Sequence, residues 1–172
     1  MPGTTTTELS APIDPAPKYP RLVVPAAAVL AALLLVAIVR RAAGTAAFWP
    51  AGINGWIVVH VLAVTPTVPL GLYLFGSAKG TAAHRLLGRV WAGLILVTAF
   101  TSFGIHSLTG HLSPIHLLSV YTIFGVARGV WFAMHGDAAR HRRSMIGAFA
   151  GITVAGLFTF LPGRLMGLWL FG

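Results

Sequence analysis

The chain has 172 residues, of which 56% are hydrophobic and only 9% charged, and a mean hydropathy of +0.83. Soluble domains carry roughly 25% charged residues, so this composition excludes an ordinary soluble enzyme and predicts an integral membrane protein. The net charge of +9 lies beside apolar runs rather than along one polar face, which excludes a nucleic-acid binder and predicts anionic lipid headgroups as the partner; the absence of cysteine excludes disulfides, thiolate chemistry, iron–sulfur clusters and c-type haem.

In chain order, Met1 to Pro20 holds Pro2, Pro12, Pro15, Pro17 and Pro20 beside a threonine tract, so residues 1–20 are expected to be a disordered tail. Residues 21–172 are then expected to form one transmembrane helical domain. The first helix is expected over about 22–41, because Leu22 to Val39 is an uncharged run of roughly 18 residues bounded by Arg21 and by Arg40 and Arg41. It is too long for a usual signal-peptide core. Gly44, Pro50 and Gly52 mark a turn, and the second helix is expected over 53–75. Pro66 and Pro69 predict a kink there, with Thr65 or Thr67 re-satisfying the carbonyls that proline leaves without a donor.

The stretch KGTAAHRLLGR, Lys79 to Arg89, is a compact cationic connection. The third helix is expected over 84–108, followed by a break at Thr109, Gly110, Ser113 and Pro114. The fourth is expected over 114–135, ended by Gly136 and Asp137. Arg140, His141, Arg142 and Arg143 form a second cationic connection, and the fifth helix is expected over 141–162. The tail Leu165 to Gly172 is too short to cross and is expected in the interface. The predicted fold is therefore all-α: five transmembrane helices, with helices two to five as an antiparallel four-helix bundle and helix one peripheral.

Orientation follows from the positive-inside rule. One side collects Lys18, Arg21, Lys79, Arg85, Arg89, Arg140, Arg142 and Arg143, and the other only Arg40, Arg41 and Arg164. The amino terminus is thus expected in the cytoplasm and the carboxyl terminus outside.

Seven histidines against three acidic residues are the main functional signal. His60, His106, His111 and His116 fall toward the outer side, and His84, His135 and His141 toward the inner side. His60 and His116 come from helices two and four, His84 and His141 from helices three and five, so each pair sits on parallel helices. Neutral imidazole ligates haem iron, and b-type haem needs no cysteine. Along helix three, His84 shares a face with Gly88, Trp91, Ile95, Thr98 and Ser102. Below His141 lie Ser144, Ala148, Gly151 and Ala155, and Gly147 with Gly151 makes a G-x-x-x-G packing motif. His60 sits about 10 Å inside its helix, while His84, His116 and His141 begin or nearly begin theirs.

An ionisable group at the depth of His60 is a functional candidate by default, although a hydrogen bond to a neighbouring helix is the simpler alternative. Arg128, also within a helix, either snorkels to headgroups or faces an anion such as a propionate. Arg85 and Arg89, beside His84, are expected to meet anionic groups of a cofactor or headgroup. No hydrolase or P-loop motif is present.

The segments GSAKGTAAHRLLGRVWAG, SFGIHSLTGHLSPIHLLSVYTI and ARHRRSMIGAFAGITVAGLFTFLPGR together resemble a widespread bacterial family of small multi-span membrane proteins, catalogued as a domain of unknown function, over about residues 52–164. The resemblance implies a helical bundle in the bacterial cytoplasmic membrane and brings no established activity. More remotely, four successive histidine-bearing helices paired two with four and three with five look like the core of transmembrane dihaem b-type cytochromes. That likeness implies His60 and His116 as outer haem ligands and His84 and His141 as inner ones, in an oxidoreductase carrying electrons between the two faces to a redox partner. The alternatives are a haem-free bundle that binds lipid, quinone or a small solute through His60 and Arg128, and an accessory subunit or homo-oligomer that docks through its G-x-x-x-G face.

Overall fold

The computed structural model describes residues 20–44, 54–105 and 115–171. Within them the chain forms six helices, α1 Pro20–Ala42, α2 Gly55–Gly76, α3 Ala82–Ser102, α4 Ile115–Met134, α5 Ala138–Phe158 and α6 Leu165–Phe171. The amino-terminal tail, the turn at Pro50 and Gly52, His106, His111 and the break from Thr109 to Pro114 lie outside the described residues.

Short polar side chains set three of the helix starts. The Asn54 side chain accepts from the Ile57 N–H at 3.1 Å, Thr81 Oγ1 from the His84 N–H at 3.0 Å, and Asp137 Oδ1 from the Arg140 N–H at 2.9 Å. Asp137 therefore opens α5 as well as following α4, and α5 begins at Ala138 rather than at His141. It ends at Phe158 rather than 162, because Thr159 Oγ1 turns back onto the Gly156 carbonyl. The third helix also stops early, at Ser102, in a turn through Phe103 and Gly104. Between α4 and α5 the turn is tight: Gly136 takes φ +75°, and the Asp137 N–H bonds the Phe132 carbonyl at 2.9 Å, a closure that favours glycine.

α2 packs on α3, α3 on α4, α4 on α5, and α5 back on α2, so four helices close a ring. α1 lies outside that ring against α2, α5 and α6. Four helices, α1 to α4, are long and apolar enough to cross a membrane. In α5 the first turns carry Arg140, Arg142 and Arg143, leaving Ser144 to Phe158 uncharged, roughly 22 Å at 1.5 Å per residue against a hydrocarbon core of roughly 30 Å. Among the described residues, four helices are thus shown to be long and apolar enough to cross.

The middle of the ring is solid. Phe75, Trp91 and Phe149 meet there, the two phenylalanines stacked at 5.0 Å and Trp91 edge-on to both at 6.2 and 6.1 Å. Trp91 is 2% exposed, and its Nε1–H needs an acceptor; it donates to the Thr67 carbonyl at 2.9 Å. Gly71 lets the rings approach, since a Cβ there would lie 2.5 Å from Phe149. Around Pro66 and Pro69, Thr65 and Thr67 bond the Val61 and Ala63 carbonyls, each four residues back. These are not the carbonyls of Leu62 and Thr65 that the prolines leave without their usual donors.

The small-residue face of α5 is occupied from within the chain. A Cβ on Gly147 would meet the Tyr121 hydroxyl at 2.7 Å, and one on Gly151 would meet Leu118 and Thr122, all from α4. That face packs α4 and is not available to dock another subunit.

Candidate functional site

The structure separates the four candidate histidines into two unlike pairs. His60, the sixth residue of α2, is half-buried, with Nδ1 3.2 Å from Thr101 Oγ1 on α3. The Thr101 hydroxyl proton goes to the Val97 carbonyl at 2.7 Å, with the Thr98 carbonyl at 3.1 Å, so its oxygen accepts from His60 Nδ1–H. His116, 7% exposed, donates from Nε2 to the Ser102 carbonyl at 3.1 Å, and its ring lies 5.7 Å from Phe103. Next to it Ser119 Oγ meets Ser102 Oγ at 2.7 Å, while Ser102 Oγ also reaches the Ala99 carbonyl. Both histidines thus grip the last turn of α3 from opposite neighbours. α2 and α4 make no direct backbone approach among the described residues.

An open apolar cleft of about 520 Å³ adjoins this end, lined by Asn54, Gly55, Trp56, Val59 and Thr101. It lies beside the His60 hydrogen bond and at the opposite end of the bundle from His84 and His141.

At the cationic end the arrangement changes. His84 sits in the first turn of α3, and its Nδ1 is buried without a hydrogen-bond partner. Such an atom is unusual, because buried polar groups are almost always satisfied. His84 lies within electrostatic reach of His141 and of Lys79. His141 Nδ1–H donates to the Gly129 carbonyl at 2.8 Å, which fixes the tautomer and leaves Nε2 as the acceptor nitrogen. One helical turn below His84, Gly88 leaves open space: a Cβ there would meet nothing within 4 Å.

Cations surround this pair. Lys79 folds back so that Nζ donates to the Leu74 and Phe75 carbonyls, each at 2.9 Å, and to the Ser77 carbonyl. Its pKa is lowered from the ordinary lysine value, first by partial burial and then by the Arg142 charge. Arg85 is exposed and donates to the Gly80 carbonyl at 2.6 Å, and Arg89 is exposed on the same helix. Arg128 is exposed on α4, its guanidinium 5.7 Å from the Phe132 ring centre. His135 stacks on Trp131 at 4.2 Å and donates Nδ1–H to the Trp131 carbonyl.

Among the described residues, no three histidine or acidic side chains gather into a metal site. A two-imidazole arrangement suits a group that brings its own remaining ligands, as haem does. At the cationic end the buried His84 Nδ1 has no partner and His141 presents Nε2, so these two imidazoles are the candidate ligands there. His60 and His116 flank α3 on helices that make no direct backbone approach to each other among the described residues, so they do not face each other. Sequence reasoning did not single out Thr101 and Ser102 as the groups that hold that pair, nor Ser119, whose hydroxyl meets that of Ser102. Their signal was polarity at the end of an otherwise apolar helix.

Fold and polar distribution define the class: a multi-pass, all-helical integral membrane protein. Comparison with protein-family models, with curated proteins and with solved structures found no match.

Proposed function

We propose that the protein is a small b-type cytochrome-like electron carrier with one haem at its cationic end, held by His84 and His141. The observation that carries the reading is the buried His84 Nδ1 without a partner, within electrostatic range of a second imidazole whose tautomer is already set. Haem would supply a one-electron redox couple at that end. The chain's own part is to orient the two rings. The Gly129 carbonyl holds His141 as a metal-ligating histidine is usually held, by a hydrogen bond on its other nitrogen. Lys79, Arg85, Arg89 and Arg142 surround this end with positive potential that favours the propionate side chains of the cofactor.

The aromatic group of Phe75, Trp91 and Phe149 closes the bundle beneath, with Trp91 about 10 Å along α3 from His84. Electron exchange is therefore assigned to the cationic end rather than to a two-haem relay across the membrane. The cationic end is assigned to the cytoplasmic side of a bacterial inner membrane by the positive-inside rule, with α5 as a fifth crossing whose arginines snorkel. The resemblance of the histidine-bearing segments to small bacterial multi-span proteins suits the same setting.

The test is a reduced-minus-oxidised spectrum of the protein purified in mild detergent after expression with haem supplied. A haem band that His84→Ala and His141→Ala remove and His60→Ala retains is the expected result. A blank spectrum from the wild-type protein overturns the assignment and leaves a haem-free bundle. Reporter fusions at the two connections test the orientation.

A further inference from the structure

Arg128 is a cation that the redox reading leaves unused. It stands six positions before the last residue of α4, roughly 9 Å along the helix axis, on a face where Phe124 and Trp131 are also exposed. A guanidinium so placed is costly unless an anion meets it.

A second guanidinium approaches the same aromatic ring from the next helix. Arg140, in the first turn of α5, lies 5.5 Å from the centre of the Phe132 ring, the ring that Arg128 approaches at 5.7 Å. Phe132 is 9% exposed, so packing fixes the ring and the ring positions both cations. One carboxylate pairs with Arg140: Asp137 Oδ2 lies 3.4 Å from Arg140 Nε, and Asp137 is the one acidic residue among those described. Two guanidinium forks, each with several N–H donors, thus approach one ring, and one of them is paired with a carboxylate.

We infer that Arg128 and Arg140 clamp the phosphate of an anionic phospholipid. Guanidinium recognises phosphate by paired charge-assisted hydrogen bonds, and two of them from adjacent helices bracket one headgroup. The position names the source of the phosphate. Arg128 stands on an exposed apolar face of a spanning helix, beside Phe124 and Trp131, where an anion arrives with acyl chains attached. Trp131, stacked on His135, supplies the amphipathic ring typical of headgroup depth. A lipid tail then lies along α4 while its phosphate meets the arginines.

Native mass spectrometry on the full chain in detergent tests this, with phosphatidylglycerol, phosphatidylcholine and inorganic phosphate as the three probes. Phosphatidylglycerol is expected to be retained about tenfold better than phosphatidylcholine, and Arg128→Gln or Arg140→Gln to erase that preference, the scale of one charged hydrogen bond. Arg128→Lys keeps the charge without the fork and is expected to fall between. Arg21→Gln, an exposed cation at the amino-terminal end of α1, is expected to change nothing. The inference is overturned if both glutamine variants, shown folded by their unfolding temperatures, keep the wild-type preference, or if Arg21→Gln lowers it equally. It is also overturned if inorganic phosphate binds as well as the lipid, or if Arg128→Gln instead releases a stoichiometric helical partner.

Discussion

At the end of the bundle that carries Asn54 and Ile105, His60 and His116 bind α3 through a hydroxyl and a carbonyl of adjacent residues. At the cationic end, His84 keeps one buried nitrogen without a partner, and His141 bonds the Gly129 carbonyl of α4. The deeper histidine, His60, bonds a neighbouring helix, and the buried nitrogen without a partner belongs to His84, nearer the interface. Depth in the membrane makes a polar group expensive, but it does not say who satisfies it. An unsatisfied nitrogen is the stronger sign of a ligand.

The sharpest way to break this contrast is spectroscopic. His84→Ala and His141→Ala are each expected to abolish the haem band, while His60→Ala and His116→Ala leave it in place, read by the reduced-minus-oxidised difference. Next in size is the plug that separates the two ends. Gly71→Ala puts a methyl 2.5 Å from the Phe149 ring, and overpacking of this kind costs about 1–3 kcal/mol, measurable as a lowered unfolding temperature in detergent.

Without cofactor, the two pairs should also differ in stability. His60→Ala leaves the Thr101 hydroxyl without its cross-helix donor and is expected to cost about 1 kcal/mol, whereas His84→Ala removes an unsatisfied group and should cost less. The smallest effect concerns Lys79. Its ammonium form is disfavoured by burial and by Arg142, so Arg142→Gln should raise its pKa part of the way toward the ordinary lysine value, followed by NMR titration of the labelled side chain. A lysine with a lowered folded pKa favours the folded state least below that folded pKa. Stability gains as pH rises from there toward the ordinary value, and Arg142→Gln should shrink that gain.

Much of this was legible in the sequence because long apolar runs and cationic connections need no tertiary information. The two connections and the placement of histidines toward the two ends follow from hydropathy and turn residues alone. What periodicity could not supply is azimuth. It puts Thr101 and Ser102 near a helix end, but not which neighbour faces them, so the bond from His60 across 41 positions stayed hidden. The same limit misassigned Gly147 and Gly151 as a possible docking face when Tyr121 and Leu118 cover them. The start of α5 was missed for another reason: Asp137 ends one helix and caps the next, and only the second role carries a recognisable side-chain signal.

The short α6 changes how assembly of the chain has to be ordered. A Cβ on Gly167 would lie 2.5 Å from the Leu161 carbonyl, so α6 folds tightly back onto the segment before it, and it then packs against α1. Leu30 of α1 also fits over Gly156 of α5, where a Cβ would lie 2.6 Å away. Two of the three helices that seat α1 are therefore synthesised long after it. The packing of α1 is complete only once α5 and α6 have followed it out of the ribosome.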